Sequence, residues 1–248
     1  MKLNELVGYL NEVLQPEKFR DYCPNGLQVE GCDEVTRVVA GVTASQKLLD
    51  IAVDRGAQAI LVHHGYFWKG ESPVIAGMRR KRLATLLKND INLIAYHLPL
   101  DAHPELGNNA QLAALCGWQA EGRFAEQEIG WWGRPSEPCS LADLGDRIAL
   151  ALGRQPLVIG EADWPVRRLA WCSGGAQSYF EQAIALGIDA FVSGEISEPT
   201  VHLARECGVG YIAAGHHATE RYGVRAVAAA LEQKFGIVCE FVDVDNPV

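Results

Sequence analysis

Histidines and carboxylates at repeated spacings are the first chemical signal in this chain. "AILVHHGYFWKG", residues 59 to 70, sets His63 and His64 side by side at the end of an apolar run, and "AAGHHATERYG", 213 to 223, does so again with His216 and His217. The 248 residues contain seven histidines, and random placement of that number gives about 0.2 adjacent pairs. A second spacing recurs as well: His97-x-x-x-Asp101 in "AYHLPLD" and His216-x-x-x-Glu220 in "GHHATE". Four residues apart on a helix, two side chains share one face. Imidazole nitrogens with carboxylate oxygens form a borderline-hard donor set, suited to Zn, Mn, Fe, Co or Ni more than to copper(I) or calcium.

Such a set crowds one ion and suits two. Adjacent strand residues point to opposite faces, so His63 and His64 diverge, which favours one histidine for each ion and a carboxylate bridging the pair. Two ions roughly 3.5 to 4 Å apart are the usual arrangement for activating water and stabilising a developing oxyanion. His97 stays open between ligand, general base and a residue that orients a ligand. Of the rest, His217 is read as facing away from the ions, His103 and His202 as surface residues, and Glu195 as a satisfied loop carboxylate.

The elements that must position these groups alternate along the chain. An amphipathic N-terminal helix carries Leu3, Leu6, Leu10, Val13 and Leu14 on one face. The turn-rich "DYCPNGLQVEG" after it is expected to cross the surface. Strand patterns at 36–44, 59–64 and 92–100 alternate with helix patterns at 46–56, 79–89 (Leu83, Leu86 and Leu87 on one face) and "NNAQLAALCG", the last starting at an Asn cap and stopping at Gly117. Between about 118 and 140 the pattern breaks, with Gly, Pro and the pair Trp131-Trp132. A core or subunit-interface role is expected for these tryptophans. The domain boundary is placed here, giving a first α/β unit over 1–120 and a second over 121–248.

Past the N-cap Ser140, helices at 141–152, 176–186, 197–206 and 219–234 alternate with strands "QPLVIG", "RRLAWCSGG", "DAFVSGE", "GYIAAGHH" and "IVCEFVDV". Strands and helices in this order predict two α/β units with mostly parallel sheets. Placing Gln46 on Gln177 also aligns Arg37 with Arg168, Ala52 with Ala183, Gly56 with Gly187 and Ala59 with Ala190 without a gap, and sets His63-His64 over Gly194-Glu195. Duplication of one unit is inferred. In such sheets ligands gather beyond the carboxyl ends of the strands, where the histidines fall.

Composition narrows the partners. A net charge of -9 argues against broad binding to nucleic acid or an anionic membrane face. The one dense basic run, Arg79-Arg80-Lys81-Arg82, is read first as a solvated helix face and second as a site for phosphates or acidic groups. Seven scattered cysteines without a C-x-x-C pair fit reduced thiols rather than a disulfide framework or Cys-rich zinc site. No stretch approaches the roughly 18 apolar residues of a membrane span, and the N-terminus lacks a signal core. A cytoplasmic location is expected.

"HHGYFWKG", "HLPLDAHPELGNNAQLA" and "GHHATERYG", with "PNGLQVEG" and "SGGAQS", resemble the dinuclear-metal-centre family of GTP cyclohydrolase I type 2 homologues, whose eukaryotic relatives are the NGG-one-interacting-factor-three-like proteins. The similarity runs nearly the whole chain and is to the short bacterial members, which lack an inserted domain. It implies two divalent metal ions, one held by His64, Asp101 and Glu220, the other by His63, His216 and Glu220, with Glu220 bridging. It also implies a toroidal homohexamer with sites facing an internal cavity.

For activity, the resemblance implies hydrolysis of a small anionic or nucleotide-like substrate. The leading named case is GTP ring opening at C8 with formate release. Water activation does not specify the electrophile, so a phosphoesterase or amidase, or a non-catalytic metal-binding assembly protein, stays open.

Overall fold

The computed structural model describes residues 1–248 and divides into two compact units. Unit 1 comprises residues 1–106 and 223–245; unit 2 comprises residues 107–222 and 246–248. The sequence pattern places its break near 120 instead. Two features hidden from local pattern account for the difference. The segment 118–135 is sheet rather than linker, and the C-terminal strand returns to pair within unit 1.

Unit 1 contains α1 (Leu3–Leu14), β1 (Gly26–Val29), β2 (Arg37–Thr43), α2 (Gln46–Asp54), β3 (Ala59–His64), α3 (Gly77–Lys88), β4 (Asn92–Ala95) and α4 (Leu98–Ala102). Unit 2 contains α5 (Asn108–Cys116), β5 (Trp118–Phe124), β6 (Gly130–Pro135), β7 (Cys139–Ser140), α6 (Leu141–Leu152), β8 (Leu157–Ile159), β9 (Pro165–Val166), β10 (Leu169–Cys172), α7 (Phe180–Ile184), β11 (Ala190–Ser193), α8 (Glu198–Cys207) and β12 (Gly210–Ala213). Helix α9 (His216–Phe235) starts in unit 2 and ends in unit 1, where β13 (Val238–Phe241) closes the chain's strands.

The unit 1 sheet has the order β1-β4-β3-β2-β13, parallel except for the β1–β4 pair. Its strands alternate strictly. Val38, Ala40, Ala59, Leu61 and Ile94 pack with Leu6 and Leu10 of α1 and with Val227 and Leu231 of α9. Val39, Ile60, Val62 and Leu93 pack on the opposite face with Leu48 and Leu49 of α2 and Leu83 and Leu86 of α3. A sheet covered on both faces reads as an apolar run, as "AILV" does. Leu87, expected on the buried face of α3, is exposed.

The unit 2 sheet, ordered β5-β6-β10-β11-β12-β8, is mixed: only β10–β11 and β11–β12 are parallel. The expectation of mostly parallel strands therefore holds for unit 1 and not here. β5 and β6 occupy the stretch that reads as a pattern break, and their glycines are packing devices. A Cβ on Gly133 would lie 2.0 Å from the Gln119 carbonyl oxygen, and one on Gly122 would meet the Trp132 ring at 2.6 Å. Trp131 is buried with Trp118 and Trp171 against α5 and α6, while half-buried Trp132 carries the Arg168 guanidinium 4.9 Å from its ring. On the other face Phe180, Phe191 and Tyr211 cluster with centroids 4.9 to 5.6 Å apart.

Local signals behave as their chemistry requires. Ser140 Oγ accepts the Asp143 N–H to start α6 and Gly153, at φ +66°, ends it, a cap of about 1 kcal/mol. The expected Asn cap of α5 is instead Gly107, with Asn108 and Asn109 buried inside the first turn. There Asn109 Oδ1 accepts the Ser173 N–H and its Nδ2 donates to the Ile129 carbonyl. The strand expected over 92–100 stops at Ala95, and Asp101, expected just past the strand, lies on the short helix α4.

Candidate metal centre

In unit 1 the alternation of β3 assigns its two histidines to opposite sides. His63 follows Ala59 and Leu61, His64 follows Ile60 and Val62. Because His64 is the last strand residue, the divergence is incomplete and the two rings stand 4.5 Å apart. His63 is fully buried. Its Nδ1 lies 3.0 Å from the Tyr96 carbonyl oxygen, an acceptor only, so Nδ1 carries the proton and Nε2 presents a lone pair. Asp101 Oδ1 stands 3.5 Å from that Nε2. His64 Nδ1 is 3.2 Å from Thr43 Oγ1, its neighbour across the β2–β3 ladder.

Unit 2 repeats the arrangement. Helix α9 begins at His216, three residues earlier than the sequence pattern indicates, and so carries both His216 and Glu220 in its first turns. Glu195 Oε1 accepts from His216 Nδ1 at 2.7 Å, and Glu220 Oε2 lies 3.2 Å from Nε2. Burial works against the imidazolium here, yet hydrogen bonding to Glu220 and Glu195 and their charges outweigh it and hold His216 up at about 9. Glu220 is itself buried. Gly174, at φ +68°, leaves it room: a Cβ there would fall 2.1 Å from Glu220 Oε1.

His63 and His216 therefore share one design: Nδ1 anchored to an oxygen acceptor, Nε2 turned toward a carboxylate. A neutral imidazole so anchored sets a lone pair against a carboxylate oxygen. That contact is reconciled by a proton or a cation, and the same anchoring is how proteins orient histidine ligands. The donor set fits divalent metal. Asp101 Oδ1 lies near His63 Nε2.

The residues that hold these groups carry no such signal in the sequence. Asp21, its side chain buried within the turn-rich stretch expected to cross the surface, binds His97 Nδ1 at 2.7 Å and the Leu98 N–H at 2.9 Å. Asn25 accepts the His97 N–H at 2.7 Å and donates to Asp21 at 2.9 Å. The stretch is thus a tether that fixes the start of α4. Burial opposes the Asp21 charge, but the His97 hydrogen bond and charge, with Asn25 and Leu98, bring its carboxyl down to about 2. His97 in turn sits 5.1 Å from the His63 ring and 5.7 Å from the His64 ring. Nearby Cys23 is raised to about 12 by burial and the Asp21 charge, which keeps it a thiol and a poor ligand.

Glu195, expected to be a satisfied loop carboxylate, anchors His216, and its alignment with His64 is the signal that points to it. His103 is half-buried rather than on the surface, and its Nδ1 accepts the N–H groups of Glu105 and Leu106. His202 is exposed and pairs with Glu198 at 2.8 Å. His217 is buried, its N–H donating to a carboxylate oxygen of Val248 at 2.9 Å. In the basic run, Arg79 binds Glu71 and the Ser72 carbonyl, and the Arg82 guanidinium lies 6.0 Å from the Tyr66 ring.

A family model described as Duf34/NIF3 (NGG1p interacting factor 3) matches residues 1–247. The chain belongs to the Duf34/NIF3 family. It is 54% identical over 248 residues to a "GTP cyclohydrolase 1 type 2 homolog" of Pseudomonas aeruginosa, covering 99% of this chain and 98% of that one. It is also 54% identical to the protein of the same description from Escherichia coli K12, each covered completely. Among solved structures, protein ybgI, described as of unknown function, superimposes with a TM-score of 0.96 at 53% identity. TTHA1606 from Thermus thermophilus does so with a TM-score of 0.91 at 37% identity. Both are covered fully, as is this chain. No helix is long and apolar enough to cross a membrane.

Proposed function

We propose that His63, His64, Asp101, His216 and Glu220 hold two divalent metal ions, drawn from Zn, Mn, Fe, Co and Ni, and that the chain is a hydrolase acting on a nucleotide-like anion. GTP ring opening with formate release is the leading named case, in keeping with the description of its relatives. The observation that carries this reading is the anchored Nδ1 and carboxylate-facing Nε2 at both His63 and His216. In keeping with the resemblance, His64, Asp101 and Glu220 would hold one ion and His63, His216 and Glu220 the other.

Bound ions would polarise a water molecule and a substrate oxygen. The chain's own residues supply the rest. Thr43, Tyr96 and Glu195 orient the imidazoles. His97, with Nδ1 held by Asp21, offers Nε2 as a place to hold or pass a proton, a general acid–base role. The toroidal homohexamer implied by the resemblance is part of this proposal and is checked by light scattering of the purified protein.

The deciding experiment is a substrate panel on metal-replete protein, covering nucleoside triphosphates, phosphodiesters and cyclic amides, with formate release from GTP assayed directly. No formate would remove the named case. Two metal equivalents without turnover of any substrate would favour a metal-binding assembly protein.

A further inference from the structure

Tyr22, 59% exposed, and Phe67, 38% exposed, are the only aromatics among the exposed large apolar side chains. Neither belongs to a hydrophobic cluster of the core. They stand in two unit 1 segments, the α1–β1 connection and the loop after β3, and those segments are tied together. The Lys69 N–H donates to the Tyr22 carbonyl at 2.6 Å. Gln28 of β1 accepts the Tyr66 N–H at 2.7 Å and donates to the Pro24 and Tyr66 carbonyls at 2.8 and 3.1 Å. Gly65 admits this bridge, since a Cβ there would fall 2.2 Å from Gln28 Oε1. Rings on segments pinned in this way are held in place before a ligand arrives, which lowers the cost of binding.

Phe67 adopts φ +65°, a costly conformation for a residue with a bulky side chain. It reverses the chain between two rings with different fates. Tyr66 enters the core, its hydroxyl donating to the Ala44 carbonyl at 2.9 Å. Trp68 folds back until its Nε1–H donates to the Gly65 carbonyl at 3.2 Å. The Trp68 ring then rests 4.9 Å from the His97 ring and 5.9 Å from the His64 ring. Tyr22 approaches the same His97 ring from the other segment, at 6.4 Å. With its indole N–H satisfied, Trp68 has only ring surface left to offer. Trp68 and Tyr22 meet the imidazole at 83° and 63°, so a flat ring stacked parallel to either stands steep to His97 and can turn its edge toward a ring nitrogen.

We propose that Tyr22 and Trp68 form a stacking site for a planar heteroaromatic ring, a nucleobase in class, beside His97. Aromatic faces bind such rings by stacking, and the neighbouring imidazole favours a ring with a polar edge over a hydrocarbon one. The proposal deepens the hydrolase reading and rests on it for the ring's being part of a substrate; the aromatic geometry is independent of it.

Guanosine, ribose and benzyl alcohol are titrated by calorimetry into the full-length protein as purified, with metal equivalents and molar mass by light scattering determined on the same samples. Guanosine should bind, benzyl alcohol more weakly and ribose not at all. Tyr22→Ala should weaken guanosine about tenfold, as loss of one stacking ring does. Tyr22→Phe keeps the ring and should bind like wild type, whereas Tyr22→Leu should resemble Tyr22→Ala. The contacts that Tyr22 makes through its backbone survive all three changes, so fold and metal content should hold. Absence of saturable guanosine binding, benzyl alcohol binding as tightly as guanosine, or Tyr22→Ala binding guanosine like wild type would overturn the proposal. A lower molar mass in Tyr22→Ala with guanosine affinity unchanged would overturn it too and make the ring a subunit contact. Turnover in the substrate panel with a KM indifferent to Tyr22→Ala sinks the stacking site alone. Guanosine binding that depends on the Tyr22 ring, with no turnover of any substrate, sinks the hydrolase reading alone.

Discussion

Asp21 Oδ1 stands 2.7 Å from His97 Nδ1, and the other oxygen of the same carboxylate accepts the Leu98 N–H at 2.9 Å. One buried side chain from the α1–β1 connection thus orients His97 and caps α4, the five-residue helix that carries Asp101. A helix that short has too few internal hydrogen bonds to hold itself. Asp21→Ala should therefore cost about 1–3 kcal/mol, the penalty for stranding buried donors, and lower metal occupancy as Asp101 loses its support. Asp21→Asn, which keeps an acceptor oxygen, should recover part of both. Thermal denaturation with elemental analysis of the two variants checks this; full occupancy in Asp21→Ala would refute it.

The same carboxylate sets a pH dependence. Its folded pKa, about 2, lies below the ordinary aspartate value, so ionised Asp21 favours the folded state. That contribution is complete above about pH 4 and drains away as pH falls toward 2. Acid titrations of wild type and Asp21→Asn should converge below pH 2 and separate above pH 4. Parallel curves over the whole range would contradict the assignment.

Glu195 should matter to metal more than to fold. It is partly exposed and lies outside the hydrophobic clusters, so Glu195→Ala should shift Tm little. Loss of the His216 Nδ1 anchor should cost about 10- to 100-fold in metal affinity, as removing such orienting partners does elsewhere. Competition with a chromogenic chelator measures it.

Substitutions at Asp101 and Glu220 should distinguish the two proposed ions. Glu220→Gln should lower the occupancy of both and Asp101→Asn mainly of one, read as metal equivalents per chain. Two full equivalents in both variants would remove the five-residue assignment.

Much of this is legible in the sequence because the informative signals are local. "AILVHH" reads as a buried strand ending in histidines, and Ser140 and Gly153 bracket α6 by their own chemistry. What fails is long-range. Nothing local to Trp118–Pro135 shows that its glycines admit Trp132 and the Gln119 backbone, so two antiparallel strands look like a break. Likewise the polar "DYCPN" carries every mark of a surface turn, and only the tertiary structure, which brings Asp21 to a residue 76 positions away, turns it into a tether. The proposed ligands advertise themselves by type and spacing, whereas a supporting residue such as Asp21 does not.

Gly174 gives the sharpest test of the unit 2 arrangement, because two demands meet in one residue of "SGGAQS". Its φ of +68° disfavours any side chain, at about 1–2 kcal/mol. Independently, a Cβ there would fall 2.1 Å from Glu220 Oε1 and 3.2 Å from His216 Nε2, inside both contact distances. If only backbone conformation mattered, Gly174→Asn, which tolerates left-handed φ, would be better accepted than Gly174→Ala. If the space for Glu220 matters more, both should lose metal, and Asn, with the larger side chain, should lose at least as much. Metal equivalents and Tm, measured together on the two variants, distinguish the demands: Tm rescued by Asn while metal stays low identifies Glu220 as the group that Gly174 accommodates.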